Sequence, residues 1–222
     1  MIEEILPAGV AAADTHEDLL DIPLFPEEER ALGRGAVDKR RREFITGRAC
    51  AREALRQLGL SSVAIPAGAR GEPSWPAGVV GSITHCAGYR ACAVARTETL
   101  VTVGIDAEPN EQLPDGVLKE IARAEERELL RELARCEPSV CWDRLLFSAK
   151  EAVYKAWFPL AERWLGFEDA TLTVDLARGA FEARLLVLGP LVGTQRLGSL
   201  DGRFLVRDGL VLTAVSLPSR ND

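Results

Sequence analysis

Histidine is nearly absent from this 222-residue sequence, which has only His16 and His85. The five cysteines (Cys50, Cys86, Cys92, Cys136 and Cys141) are odd in number, and none stands in a C-x-x-C pair. These shortages argue against a zinc site or a disulfide framework. They point to a reducing cytoplasm, with the thiols serving as small buried hydrophobes. No apolar run approaches about 18 residues, so no membrane span is expected. Met1-Ile2-Glu3-Glu4 is acidic where a secretion signal would be basic. Lysine and arginine are outnumbered 27 to 34, for a net charge of −7, which argues against a nonspecific nucleic-acid binder. No Walker, dinucleotide, G-x-S-x-G or H-E-x-x-H motif occurs. What remains is ordinary globular composition, 47% apolar and 27% charged. The length suits one large domain or two small lobes sharing a core, able to bury roughly 70% of its unfolded surface.

Residues 1–35 read as irregular, broken by Pro7, Pro23 and Pro26, although Pro26-Glu27-Glu28-Glu29 suits a helical first turn. The pattern predicts a helix from Ala36 to about Gly59, a Gly- and Pro-rich loop over 61–78, and strands at Val79–His85, Tyr89–Arg96 and Leu100–Glu108. Pro109, Pro114 and Gly116 mark a boundary, giving lobes 1–108 and 109–222. A charged helix follows over about 117–135, and a second runs from about Val140 to Phe158 and stops at Pro159. Strands with Gly-rich turns follow from Trp164. Ala91–Ala95 and Val211–Leu217 are alike enough to suggest two-lobe symmetry, though not a repeat.

Three places break the local pattern. On the first long helix, steps of about 100° put Ala51, Leu55 and Leu58 beside Phe44, with Arg40 and Arg48 on the same apolar stripe. Such arginines snorkel, pair with a carboxylate, or meet an anion. Two of them beside the Lys39-Arg40-Arg41-Arg42 run favour a phosphate. In Val101–Glu108, a continuing strand places Asp106 and Glu108 on the face opposite Val101, Val103 and Ile105, with Cα atoms roughly 7 Å apart. They are either two solvated acids before Pro109 or a pair for a hard divalent cation. On the late helix, Trp142, Leu146, Ala149 and Val153 form one apolar face and Phe147, Tyr154 and Phe158 another. Glu151 lies in that second face, partly desolvated, and needs a cation or a proton. An internal pair with Lys155 at (i, i+4) is the plain alternative.

Gly81-Ser-Ile-Thr84-His85, Val103-Gly-Ile-Asp106-Ala-Glu108 and Trp142-Asp-Arg-Leu-Leu-Phe-Ser-Ala-Lys150-Glu151-Ala-Val-Tyr-Lys155-Ala resemble three ordered motifs of the 4'-phosphopantetheinyl transferases. The form is similar to the longer, pseudo-dimeric members that activate surfactin and enterobactin synthetases. Trp164-Leu-Gly-Phe-Glu-Asp169 is similar to enterobactin-like and actinobacterial members. The resemblance covers about residues 36–170. It implies an α+β fold of two pseudo-symmetric lobes, each a small antiparallel sheet with a long helix, and coenzyme A in the cleft between them.

It also implies Mg²⁺-dependent transfer of 4'-phosphopantetheine from coenzyme A to a serine of an apo carrier protein, with release of 3',5'-ADP. The partners would be acyl- or peptidyl-carrier domains of fatty-acid, polyketide or nonribosomal peptide synthases. A cytoplasmic monomer is expected, with neither nucleic acid nor membrane as partner. By the same resemblance, Asp106, Glu108 and Glu151 are the metal ligands and Glu151 the base. His85 and Lys155 meet the phosphates of coenzyme A with Lys150 close by, Thr84 is among the cofactor-binding residues, and Arg40, Arg48 and Arg70 lie around the 3'-phosphate and adenine end. Arg70 departs from the lysine usual at its position, trading a point charge for a planar fork. Tyr154 and Trp164 either line the pantetheine path or are plain core. A phosphohydrolase using the same acids, and a silent module that only binds, are the competing readings.

Overall fold

The computed structural model describes residues 1–19, 21–33 and 35–219. The parts of the irregular N-terminal reading at Leu20 and Arg34, and the last three residues, lie outside them. Strand β1 (Val10–Thr15) is followed by helices α1 (Pro26–Leu32) and α2 (Asp38–Gln57), then by β2 (Val79–Cys86), β3 (Tyr89–Arg96) and β4 (Leu100–Pro109). Three helices come next, α3 (Val117–Ile121), α4 (Ala124–Cys136) and α5 (Trp142–Ala161). The chain ends in β5 (Ala170–Asp175), β6 (Ala180–Leu185), the short pair β7 (Leu191–Val192) and β8 (Gln195–Arg196), β9 (Ser199–Arg207) and β10 (Leu210–Pro218). The N-terminal stretch is therefore not wholly irregular. β1 pairs antiparallel with β3 from Val10 opposite Ala95 to Thr15 opposite Arg90.

The fold is α+β. One sheet has the order β1-β3-β2 and the other β4-β10-β9-β6-β5. Each carries a 20-residue helix, α2 on the first and α5 on the second. β3 and β10, the two stretches whose sequences looked alike, lie inside their sheets with a strand on either side. The second sheet has five strands, larger than the small sheet expected. The expected boundary after residue 108 falls inside β4, which pairs with β10 from Leu210 opposite Pro109 to Pro218 opposite Leu100. By sheet membership β4 goes with the C-terminal strands.

Side-chain alternation explains the layers. On β3, Ala91, Ala93 and Ala95 face a core shared by the two sheets, whereas Cys92 and Val94 face α2. β3 is buried along almost its whole length because both its faces are covered. On β4, Val103, Ile105 and Ala107 enter the shared core. Thr102, Gly104 and Asp106 turn instead towards α5. Thr102 Oγ1 donates to the Ala156 carbonyl at 2.8 Å. Gly104 allows the closest approach, since a Cβ there would lie 2.1 Å from the Ala152 carbonyl oxygen and 2.6 Å from the Ala156 nitrogen. Both are main-chain atoms of α5, so the helix itself would have to move.

Gly104→Ala is therefore expected to cost about 1–3 kcal/mol by overpacking. It should lower the thermal unfolding midpoint by roughly 2–4 °C per kcal/mol for a chain of this size. An unchanged midpoint would mean that α5 has slack along β4.

Three thiols are buried as expected (Cys50, Cys86 and Cys92), but Cys136, at the end of α4, is exposed, and Cys141 is half-buried. Burial raises the Cys50 thiol to about 11 and Cys86 to about 12, so both stay protonated and inert. Among the described residues no helix is long and apolar enough to cross a membrane.

Candidate functional site

β2 and β4 run beside one another without sharing a ladder. Hydroxyls of β2 do the joining: Ser82 Oγ accepts the Ile105 amide and Thr84 Oγ1 accepts the Ala107 amide, each at 3.1 Å. This seam between the sheets carries Asp106 on one side and Thr84 on the other. α5 crosses above it, held by the Gly104 contact and by Thr213. Thr213 stands opposite Asp106 on β10 and donates to the Ser148 carbonyl at 3.0 Å.

Asp106 is 5% exposed. Its Oδ1 receives Lys155 Nζ at 2.7 Å and the Thr84 hydroxyl at 3.2 Å, while Lys155 also donates to the Ile105 carbonyl at 3.1 Å. Its Oδ2 is buried and has no hydrogen-bond partner. Glu108, two residues on, is half-buried and bound by Arg144 Nη1 at 2.9 Å. Burial, with Asp106 adding to it, raises the Glu108 carboxyl above its ordinary range, and Arg144 opposes the rise. Glu151 is half-buried on the second face of α5. Burial raises its carboxyl, Asp106 pushes the same way, and Lys155 pulls it down. The structure thus brings Asp106, Glu151 and Lys155 together, with Lys155 bonded to Asp106 rather than paired within its own helix.

Among the described residues, no three His, Cys, Asp or Glu side chains are gathered closely enough to hold a metal ion. In this arrangement Asp106, Glu108 and Glu151 do not form a ready-made cluster. The acids neighbour one another, but the first two are occupied by cations of the protein, Lys155 and Arg144.

A cleft of about 590 Å³ opens between the lobes, lined by Arg70, Trp75, Ser82, Glu151, Tyr154, Lys155 and Phe158 among others. Arg70 stands over the Phe158 ring at 5.8 Å. At the α2 end, His85 ends on the surface at the close of β2. Its ring is held below the usual histidine range by burial and by Lys155, Arg40 and Arg90, against the pull of Glu43.

Arg40 is exposed. Arg48 is buried, stacked 3.9 Å above Phe44, and donates Nε to the Ile65 carbonyl at 3.0 Å. One of its amino groups is buried without a partner. Burial lowers Arg48 to about 10, which leaves it charged at neutral pH. The buried arginine on the apolar stripe thus donates to a carbonyl, and the nearby Glu28 carboxylate favours its charge.

Lys150 does not join the site. Nζ is buried and donates to the Ile121 and Phe167 carbonyls at 2.9 and 2.7 Å and to Glu126 Oε2 at 2.8 Å, with the Ala170 carbonyl at 3.3 Å. An ammonium has three protons, and these partners consume them, so no donor remains for a phosphate. The expectation that Lys150 meets coenzyme A is corrected on this ground.

Tyr154 and Trp164 stack at 4.8 Å and line a narrow cavity beside Glu151. Trp164 is 62% exposed and therefore not core. Sequence reasoning missed Arg144, which sits inside a quoted motif but whose partner lies 36 positions upstream. It also missed Glu43, whose only cue was a carboxylate on a helix rich in arginine.

Two family models match the chain: the 4'-phosphopantetheinyl transferase N-terminal domain over residues 27–95, and the 4'-phosphopantetheinyl transferase superfamily over 102–196. The gap between them contains the start of β4. The chain is 51% identical over 220 residues to 4'-phosphopantetheinyl transferase Svp of Streptomyces mobaraensis, covering 98% of this chain and 89% of the relative. It is 50% identical over 224 residues to 4'-phosphopantetheinyl transferase Npt of Nocardia iowensis, covering 97% and 99%. A more distant match, 32% identical over 202 residues, is to enterobactin synthase component D of Salmonella typhimurium, covering 90% and 81%. With relatives this similar over nearly the whole length, and with the motif residues meeting at one seam, the chain belongs to the 4'-phosphopantetheinyl transferase family of enzymes.

Proposed function

We propose that this chain transfers 4'-phosphopantetheine from coenzyme A to a serine hydroxyl of an apo carrier protein, releasing 3',5'-ADP. The observation that carries the reading is the meeting of Asp106, Glu151 and Lys155 at the wall of a cleft wide enough for a nucleotide. Acyl- and peptidyl-carrier domains of fatty-acid, polyketide and nonribosomal peptide synthases are the partners this chemistry fits, and the working unit is a cytoplasmic monomer.

The residues suit magnesium. The donors are all carboxylate oxygens, and Asp106 Oδ2 is buried with no other partner. Asp106, Glu108 and Glu151 would hold the ion, which supplies charge neutralisation on the diphosphate. In the reaction the serine oxygen bonds to the phosphorus that carries pantetheine, and the bond from that phosphorus to the bridging oxygen breaks. The serine proton passes to the Glu151 carboxylate, and 3',5'-ADP leaves with the electron pair. Glu151 suits this because burial raises its proton affinity, while Lys155 opposes that rise. Lys155 stabilises charge on the phosphate oxygens. Arg48 and Arg40 offer the positive charge a 3'-phosphate requires, with His85 beside Arg40. Thr84 fixes Asp106, and Arg70 with Phe158 flanks the nucleotide's path.

Incubation with coenzyme A, magnesium and a panel of apo carriers, read by intact mass, is expected to add one phosphopantetheine to at least one carrier class. Phosphate-ester cleavage without any carrier modification would instead favour a hydrolase on the same acids.

A further inference from the structure

We propose that Glu43 is a positioning residue for His85: its carboxylate holds the imidazole through Nδ1, leaves Nε2 to meet a phosphate of the nucleotide, and favours the charged ring once that phosphate is bound. The inference rests on the reading above that His85 faces a coenzyme A phosphate.

Glu43 belongs to the first half of α2, and its side chain is 10% exposed. A carboxylate so placed needs a cation or a proton. Two groups approach it. Lys39 Nζ, one turn back, stands 3.9 Å from Oε1, but its own side chain is 78% exposed, so water screens that pair. His85 Nδ1 stands 3.7 Å from Oε2 across the gap between α2 and β2. That distance is an ion-pair approach, and a small rotation of either side chain makes it a hydrogen bond. A carboxylate on Nδ1 fixes which nitrogen carries the proton and so which way the other one points.

The charges around His85 come from three elements. Glu43 and Arg40 face it from α2, Lys155 from α5 and Arg90 from β3. Three are cations that, together with burial, disfavour the imidazolium, and Glu43 favours it. An arriving phosphate reverses the balance, because it then shares the ring's proton with Glu43 on the far side. Arg90 is less available for the phosphate, since it is bound to Asp18 at 2.8 Å and to the Cys86 carbonyl at 3.2 Å.

The chain has only two histidines, so imidazole resonances can be assigned with a single His16→Asn control. In Glu43→Gln, which keeps the side-chain volume, the His85 titration midpoint is expected to fall. The dissociation constant for coenzyme A should rise about five- to tenfold at pH 7.5, the range separating a charge-assisted hydrogen bond from a neutral one. The parent and variant affinities should converge towards pH 5.5, where the ring is protonated in both complexes. Glu43→Asp, which keeps the charge, should recover part of the midpoint. A His85 midpoint unmoved in Glu43→Gln overturns the pairing. A moved midpoint together with undiminished coenzyme A binding by His85→Ala overturns the phosphate reading, and with it the purpose of the pair.

Discussion

Glu151→Gln should lower transfer of phosphopantetheine to an apo carrier at least about a hundredfold, the loss typical when general-base assistance is removed, while coenzyme A binding persists. The variant keeps the shape of the side chain and so its packing between Phe147 and Tyr154 on α5. What it loses is the ability to take a proton. In the parent, burial raises the carboxyl and Asp106 raises it further, while the Lys155 ammonium limits the rise. A carboxylate placed this way holds a proton more firmly than an exposed glutamate does. The groups proposed to bind the nucleotide lie elsewhere: Arg48 and His85 at the α2 end, and Arg70 over Phe158 across the cleft. Turnover and affinity should therefore separate in this variant. The check is single-turnover transfer with saturating coenzyme A, beside direct binding of the nucleotide. Transfer at the parent rate would remove Glu151 from the chemistry.

What could be read from the sequence was local, and what could not was set by partners far along the chain. β2, β3 and β4 were legible because each is a short apolar run with turns on both sides, and their observed limits differ from expectation by a residue at most. The placement of Arg48 on a buried stripe followed from helical spacing alone. β1 was not legible. Val10-Ala-Ala-Ala-Asp-Thr15 has little strand propensity by itself and becomes a strand by pairing with β3, some 80 positions away. The pairing of β4 with β10, about a hundred positions later, was not legible for the same reason. α5 was expected to stop before Pro159 but runs to Ala161. A proline in the last turn forfeits only the bond to the Lys155 carbonyl, and the helix closes beyond it through the Glu162 amide, which donates to Phe158 at 2.9 Å. At the site, the positions of Asp106, Glu151 and Lys155 could be anticipated from their motifs, but not the grip of Lys155 on Asp106 or of Arg144 on Glu108. Both grips are set by how α5 crosses β4, a geometry fixed by Gly104.

Lys150→Met should destabilise the protein by about 3–5 kcal/mol, the cost of breaking one side of a buried ion pair. At roughly 2–4 °C per kcal/mol the thermal midpoint should fall by around ten degrees. Lys150 and Glu126 are 3% and 1% exposed, and the ammonium is also shared with carbonyls of Ile121 and Phe167. One side chain of α5 thereby ties down the end of α3, the start of α4 and the turn before β5. Burial lowers the Lys150 ammonium, and Glu126 opposes that fall. Methionine fills the space but leaves the Glu126 charge without its cation. Glu126 also accepts the Leu172 amide at 2.9 Å and the Arg123 amide at 2.8 Å. Glu126→Gln therefore keeps carbonyl acceptance for one of these amides while discarding the charge. The double variant Lys150→Met, Glu126→Gln should recover a large part of the loss, and the double-mutant cycle gives the coupling directly. A phosphate-binding lysine would behave in the opposite way: its removal would raise KM for coenzyme A and leave the midpoint unchanged. The two outcomes exclude one another, so one thermal melt, beside one coenzyme A titration, decides whether the residue next to Glu151 serves the reaction or the scaffold.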